Sequence, residues 1–276
     1  MSVKPVSLSG GVGGDPSSAL PAFNIVIPAR FASTRLPGKP LRLIAGKPMV
    51  QWVYEVAVRA GAEQVVVATE DLRIRDVVQS FGGVACMTGS EHSSGTHRIA
   101  EVAAIEMWDS ETIVVNLQGD EPLMEPRHLS ALARLLHRDP EVGIATMATA
   151  ISCGDDLFNP NIVKVVLNAK GCAQLFSRAP IPWVRGVFGV QNRHIVELPP
   201  GVPFLRHLGI YAYRVRSLVR MSTAAEDPHE RAESLEQLRA LNLGIGIRVA
   251  VVADGGSYGV DTVEDLARVD ALLSVR

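Results

Sequence analysis

Three cations crowd one short segment, Pro28-Ala29-Arg30-Phe31-Ala32-Ser33-Thr34-Arg35-Leu36-Pro37-Gly38-Lys39. Arg30 and Arg35 each carry a planar fork of donors, and Lys39 a compact point charge, so a polyphosphate is the natural partner. Taken alone, the spacing also suits an ordinary solvated loop. Established phosphate cradles are missing. Gly38-Lys39 and Gly46-Lys47 lack the upstream glycine and the following Ser or Thr of a P-loop, and the glycines at 10–14 precede the first strand-like run.

Two further segments carry carboxylates. In Asn116-Leu117-Gln118-Gly119-Asp120-Glu121-Pro122, Asp120 follows an apolar run and is placed to hold a hard cation such as Mg²⁺ beside phosphates. A polar turn leading into the next helix would read the same way. In Gly259-Val260-Asp261-Thr262, Asp261 precedes a helical pattern, where Asp261 or Thr262 can also serve as a plain N-cap. The segment Glu91-His92-Ser93-Ser94-Gly95-Thr96-His97-Arg98 leads into another helical pattern, and its backbone N–H groups suit an anion or a base edge. Ser94 or Thr96 could simply cap that helix, and His92 and His97 lie five apart, not at the four-residue spacing of a zinc pair.

These segments need a scaffold. Short β-branched runs at 24–28, 64–69 and 112–117 read as buried strands. Helical patterns fall at about 48–60, 72–81, 96–107 and 126–138, the last opening with Pro126. This alternation predicts an α/β protein with a mostly parallel central sheet and helices on both faces. The cationic loop then leaves the carboxyl end of a central strand, where open α/β sheets bind ligands. From about 142 the rhythm changes. Strand-like runs at 142–151, 162–167, 171–177 and about 207–215 follow without long helices between them, which predicts a smaller mixed-sheet subregion. A helix at 229–241, a strand at 247–252 and a helix at 263–274 complete the pattern. One domain over 23–276, with an inserted subregion at about 155–245, is the expected organisation. The Gly-, Ser- and Pro-rich segment 1–22 reads as a disordered leader with no secretion-type apolar core.

Composition narrows the function classes. The chain has 276 residues and 47% hydrophobic residues, enough for a core that needs no disulfide or structural metal. Its 27 Lys and Arg against 29 Asp and Glu argue against a nucleic-acid protein held by a broad basic face. The three cysteines show no metal spacing and suit a reducing compartment, the cytoplasm. No apolar run reaches the roughly 20 residues of a membrane span.

From Phe23 to about Val275 the chain resembles the 3-deoxy-manno-octulosonate cytidylyltransferase (CMP-Kdo synthetase) family. The likeness rests on IPARFASTRLPGKPL, CMTGSEHSSGTHRIAEV, VNLQGDEP, FNPNIVKVV, FSRAPIPW, FLRHLGIYAYR, ESLEQLR and GVDTVEDLARV, which occur in order. The resemblance implies a Rossmann-like nucleotidyltransferase fold, a homodimer, Mg²⁺, and formation of CMP-Kdo and pyrophosphate from CTP and the sugar acid Kdo for lipopolysaccharide synthesis. It assigns Arg30, Arg35 and Lys39, beside Pro28 and Ala29, to the triphosphate, and Asp120 and Asp261 to the metal. Ser94, Gly95 and Arg98 match the cytosine-side loop. Arg178, His207, Tyr211, Glu236 and Gln237 match sugar-side residues, with Gln118 between the two and Arg35 and Asp261 reaching the sugar as well. Taken singly, Glu236 and Gln237 could be a solvated mid-helix face, Tyr211 sheet packing, and His207 a strand cap.

Three positions depart from the family pattern. His97 stands where an acidic residue is usual, His229 replaces an apolar residue, and Val263 replaces a Pro. Other readings remain at this level. A CMP-sialic acid synthetase or a hexose 1-phosphate uridylyltransferase could use a similar cationic loop, although SGTHR, RHLGIY and ESLEQLR favour the Kdo enzyme. A nucleotide-sugar glycosyltransferase is disfavoured because no second Asp follows Asp120 at DxD spacing. A non-catalytic nucleotide-binding protein is disfavoured because all three cations and both aspartates are present.

Overall fold

The computed structural model describes residues 20–32, 35–92, 94–189, 197–253 and 259–275. Most of the expected leader, 1–22, lies outside these residues. In chain order the elements begin β1 (Asn24–Pro28), β2 (Leu43–Ile44), β3 (Lys47–Pro48), α1 (Met49–Arg59), β4 (Gln64–Thr69), α2 (Leu72–Ser80), β5 (Val84–Met87) and α3 (Gly95–Ile105). They continue with β6 (Ile113–Asn116), α4 (Pro126–His137), β7 (Ile144–Ala150), α5 (Gly154–Phe158), β8 (Lys164–Leu167) and β9 (Ala173–Ser177). The chain closes with β10 (Leu205–Arg214), α6 (Val215–Thr223), α7 (Pro228–Glu233), α8 (Gln237–Asn242), β11 (Ile247–Val252) and α9 (Val263–Leu273).

The chain divides into two compact units. One draws on 19–138, 210–223 and 256–276, the other on 139–209 and 224–255. In the first, β1 pairs in parallel with β4 on one side and β6 on the other, and β4 pairs in parallel with β5. The run Ile25-Val26-Ile27 is 0% exposed, as its unbroken β-branched character requires of a central parallel strand. The chain leaves β1 toward β4 but returns through β6 on the opposite side of β1. The loops after β1 and β6 therefore part at a topological switch point, the place where α/β sheets open a crevice. The later half of β10 adds antiparallel to β6, with Tyr211 opposite Asn116.

In the second unit β7 and β11 pair in parallel while β8 and β9 pair antiparallel, the mixed pairing expected where crossover helices run out. Its apolar cluster joins Ile151, Leu157, Ile162, Phe188 and Phe204. One expectation is corrected here. The helix read at 229–241 is two helices, because Ser234 takes a left-handed conformation with φ of 52° and breaks the hydrogen-bond ladder. Glu236 is thus the N-cap of α8 and Gln237 its first residue, not a mid-helix face. Cys86 is buried, Cys153 and Cys172 are half-buried, and all three are free thiols.

Candidate active site

The loop after β1 is shaped by packing before any charge is considered. Gly38 takes a φ of 66°, in the left-handed region, and starts the turn at Lys39–Leu41. Leu36, next to Arg35, and Val260, next to Asp261, are buried in one apolar cluster with Ile44, Met49, Val269 and Leu273. Burying such side chains contributes about 1.5–3 kcal/mol each, so charged residues ride on apolar anchors. Phe31 stacks under Arg73, with the guanidinium 3.4 Å from the ring centroid.

Backbone contacts then gather the strand ends. The Leu117 N–H donates to the Val26 carbonyl at 3.1 Å, and Val260 N–H to the Asp120 carbonyl at 2.8 Å. Gly119 permits the closest approach, since a Cβ there would stand 2.7 Å from the Pro28 carbonyl oxygen. Thr262 caps α9 and forms a capping box with Asp265, which fixes the turn that carries Asp261. Sequence reasoning left Asp261 and Thr262 both open as the cap; Thr262 takes it, and the Asp261 carboxylate points elsewhere.

It points to Lys39. The Lys39 ammonium lies 2.7 Å from Asp120 Oδ2 and 3.0 Å from Asp261 Oδ1, and Arg35 Nη2 lies 3.2 Å from Asp261 Oδ2. Burial pulls the Lys39 pKa down, but the charge and hydrogen bond of Asp120, seconded by Asp261, outweigh it and leave the value above the usual lysine range. Residues 81 and 222 positions apart in sequence from Lys39 thereby meet at one atom. Among the described residues no group of three or more His, Cys, Asp and Glu side chains gathers for a metal. Two carboxylates are nevertheless the donor set that Mg²⁺ takes when nucleotide phosphates and water complete its shell.

The second loop also assembles in this unit. Ser94 caps α3, accepting from the His97 N–H, and its hydroxyl lies 2.8 Å from His97 Nδ1. The unusual His97 thus tightens the helix start. Gln118 faces this turn, its Nε2 4.0 Å from where a Cβ on Gly95 would stand. Arg98 is only 1% exposed and pairs with Glu70 at 2.7 Å, while also donating to Thr88 Oγ1. Burial lowers its pKa, Glu70 raises it, and the neighbouring Arg30 lowers it further. Arg30 itself is exposed. Sequence reasoning missed Glu70. The signal was present, because Glu70 follows β4 as Asp120 follows the β6 strand end.

The other residues matched to the sugar side, Tyr211 excepted, belong to the second unit. Arg178 donates from Nε to the Glu233 carbonyl at 2.6 Å and from Nη1 to the Pro160 carbonyl at 3.0 Å. His207 is buried, its Nε2 3.0 Å from Thr146 Oγ1 and its ring edge-on to Phe176. Burial pushes its pKa down to about 3, so it is neutral. Gln237 is buried and Glu236 half-buried. Tyr211, in the first unit, stacks on Tyr213 at 5.6 Å between centroids. Of the remaining departures, His229 lies 3.1 Å from Asp227, the α7 cap, and Val263 is an exposed first residue of α9.

A parallel sheet whose switch point gathers a cationic loop, a carboxylate from a strand end and another from a helix start is the architecture of a nucleotide-handling α/β protein. The cytidylyltransferase family profile matches residues 24–247, and the chain belongs to that family. It is 52% identical over 252 residues to 3-deoxy-manno-octulosonate cytidylyltransferase of Pseudomonas fluorescens, covering 91% of this chain and 98% of that one. To the protein of the same name from Xanthomonas campestris it is 48% identical over 273 residues, covering 99% and 95% respectively. A solved structure described as CMP:2-keto-3-deoxy-manno-octonic acid synthetase complexed with CTP matches with a TM-score of 0.82 and 44% identity, over 92% of this chain and 99% of that one. A Leptospira borgpetersenii cytidylyltransferase shares the fold, with a TM-score of 0.59 at 17% identity.

Proposed function

We propose that the chain joins CTP to 3-deoxy-D-manno-octulosonate (Kdo), giving CMP-Kdo and pyrophosphate. The observation that carries this reading is the convergence of Lys39, Asp120 and Asp261 with Arg35 at the carboxyl end of the parallel sheet. Relatives and a CTP-bound neighbour of high identity support the choice of substrates.

The anomeric hydroxyl of the sugar acid attacks the α-phosphorus. A new P–O bond forms, the α–β anhydride bond breaks, pyrophosphate leaves and the hydroxyl proton is released. Little covalent work falls to the protein, so alignment and charge supply the catalysis. Arg30, Arg35 and Lys39 grip the triphosphate and offset the charge that accumulates on departing pyrophosphate. Asp120 and Asp261 would hold Mg²⁺, which supplies positive charge to the phosphate oxygens and favours loss of the hydroxyl proton. Ser94, Gly95 and Arg98 border the cytosine, with Gln118 toward the sugar. Arg178 meets the sugar carboxylate, and Glu236, Gln237, His207 and Tyr211 meet its hydroxyls. A neutral His207 donates or accepts there without adding charge.

The same reading includes a homodimer working in the cytoplasm and supplying activated Kdo for lipopolysaccharide. Among the described residues no helix is long and apolar enough to cross a membrane. The deciding experiment is Mg²⁺-dependent pyrophosphate release from CTP. Release with Kdo and not without it is the expected result. Turnover of N-acetylneuraminate in place of Kdo would overturn the substrate, and consumption of CMP-Kdo with an acceptor and no pyrophosphate would overturn the reaction.

A further inference from the structure

Lys164 opens β8 and is 0% exposed. An ammonium is costly to bury unless every N–H finds an acceptor. Here the three acceptors are backbone carbonyls, of Asn159 at 3.0 Å, Ile162 at 2.6 Å and Arg178 at 2.5 Å. Three donors meet three acceptors, a match that a neutral amine, with two N–H groups, cannot make.

The carbonyls that Lys164 ties belong to the two segments that aim one side chain. The turn at 159–162 contains Pro160, whose carbonyl takes Arg178 Nη1. The third carbonyl is that of Arg178 itself. From the other side Glu233 accepts the Arg178 N–H and the Ser177 hydroxyl, both at 2.6 Å. The backbone of Arg178 is therefore gripped at its N–H by Glu233 and at its carbonyl by Lys164, while its guanidinium leans on the turn that Lys164 also holds.

We infer that Lys164 is a positioning residue for the sugar acid: it fixes the Arg178 backbone and the Pro160 turn so that the guanidinium is aimed at the substrate carboxylate. This rests on the reading that Arg178 meets the sugar. The charged groups around Lys164 agree with it. Burial lowers its pKa to about 8, Glu233 on α7 raises it and Arg178 lowers it, while Ser177 on β9 and the exposed Arg206 on β10 lie opposite it in register. The third N–H is thus lost near pH 8, within reach of an assay.

The full-length enzyme tests the inference through pyrophosphate release. Lys164→Met is expected to raise the KM for Kdo about tenfold, the scale of a misaimed charged contact, while the KM for CTP stays within about twofold. In an Arg178→Ala background the same substitution should add little, because the side chain it aims is gone. Equal losses for both substrates, or losses that simply add in the double variant, would assign Lys164 to stability alone and overturn the inference. If Arg178→Ala leaves the KM for Kdo unchanged, the sugar-side reading fails and takes the inference with it. The unmutated enzyme gives a check independent of how Lys164→Met folds. Its KM for Kdo should climb above about pH 8 while that for CTP stays level, and the climb should vanish in Arg178→Ala; a level Kdo profile overturns the inference.

Discussion

Charges are used in opposite ways by two clusters, one in each unit. Around Lys39 they stay partly open to solvent: side-chain exposure is 16% for Lys39, 27% for Asp120, 43% for Asp261 and 65% for Arg35. Around Arg239 they are sealed. The Glu230 and Arg239 side chains are 7% and 8% exposed and bonded twice, once from Arg239 Nε to Glu230 Oε2 at 2.7 Å. Exposed ion pairs contribute little to stability, whereas a buried pair is costly to break from one side. The difference predicts that the first cluster trades in turnover and the second in folding.

Substitutions can break that division, beginning with the largest effect. Asp120→Asn should lower kcat on the order of 10⁴-fold, the scale expected if this carboxylate holds Mg²⁺ as proposed and so supplies several kcal/mol of charge stabilisation. CTP binding by calorimetry should survive in part, and Tm should hardly move. A stability loss matching the activity loss would erase the contrast. Glu230→Ala should do the reverse. It strands the Arg239 guanidinium in the interior, and urea unfolding should show a loss of about 3–5 kcal/mol, while the KM for CTP of the folded fraction stays near its original value.

Thr262→Ala sharpens the comparison, since it removes the α9 cap beside Asp261. About 1 kcal/mol of stability should go, with a modest fall in turnover as the Asp261 turn loosens. A pH dependence completes the comparison. His207 has a folded-state pKa of about 3 against an ordinary 6.5. Between those values the unfolded chain binds a proton that the folded chain refuses, so acidification from about pH 6.5 downward drains stability. His207→Gln should flatten that part of the stability profile, as read from Tm across the same range.

Much of this was legible in the residues. The runs Ile25-Val26-Ile27 and Val65-Val66-Val67 allow no exposed face, so strands at 24–28 and 64–69 match the observed β1 and β4. Strand-end placement made Asp120 a candidate before any coordinates. What stayed hidden has identifiable causes. Ser234 is not a glycine, so nothing marked the left-handed break between α7 and α8. Strand β5 is short, and Val84 is 53% and Met87 37% exposed, so it lacks the buried run that betrays a strand. The sequence held the cations of the first loop and the two aspartates but not their meeting, which depends on the parallel pairing of β1 with β6 and on the Val260–Asp120 backbone bond. Lys164 sits in an apolar stretch that gives no hint of three waiting carbonyls.

The ammonium shared by Asp120 and Asp261 has one more consequence. Two carboxylates brought together would repel, and many proteins solve that problem by refusing to fold until an ion arrives. Here the chain carries its own counter-charge. This corner can be built with no demand on the cell's supply of divalent ions, and chelator treatment should leave the melting curve of the substrate-free protein where it was.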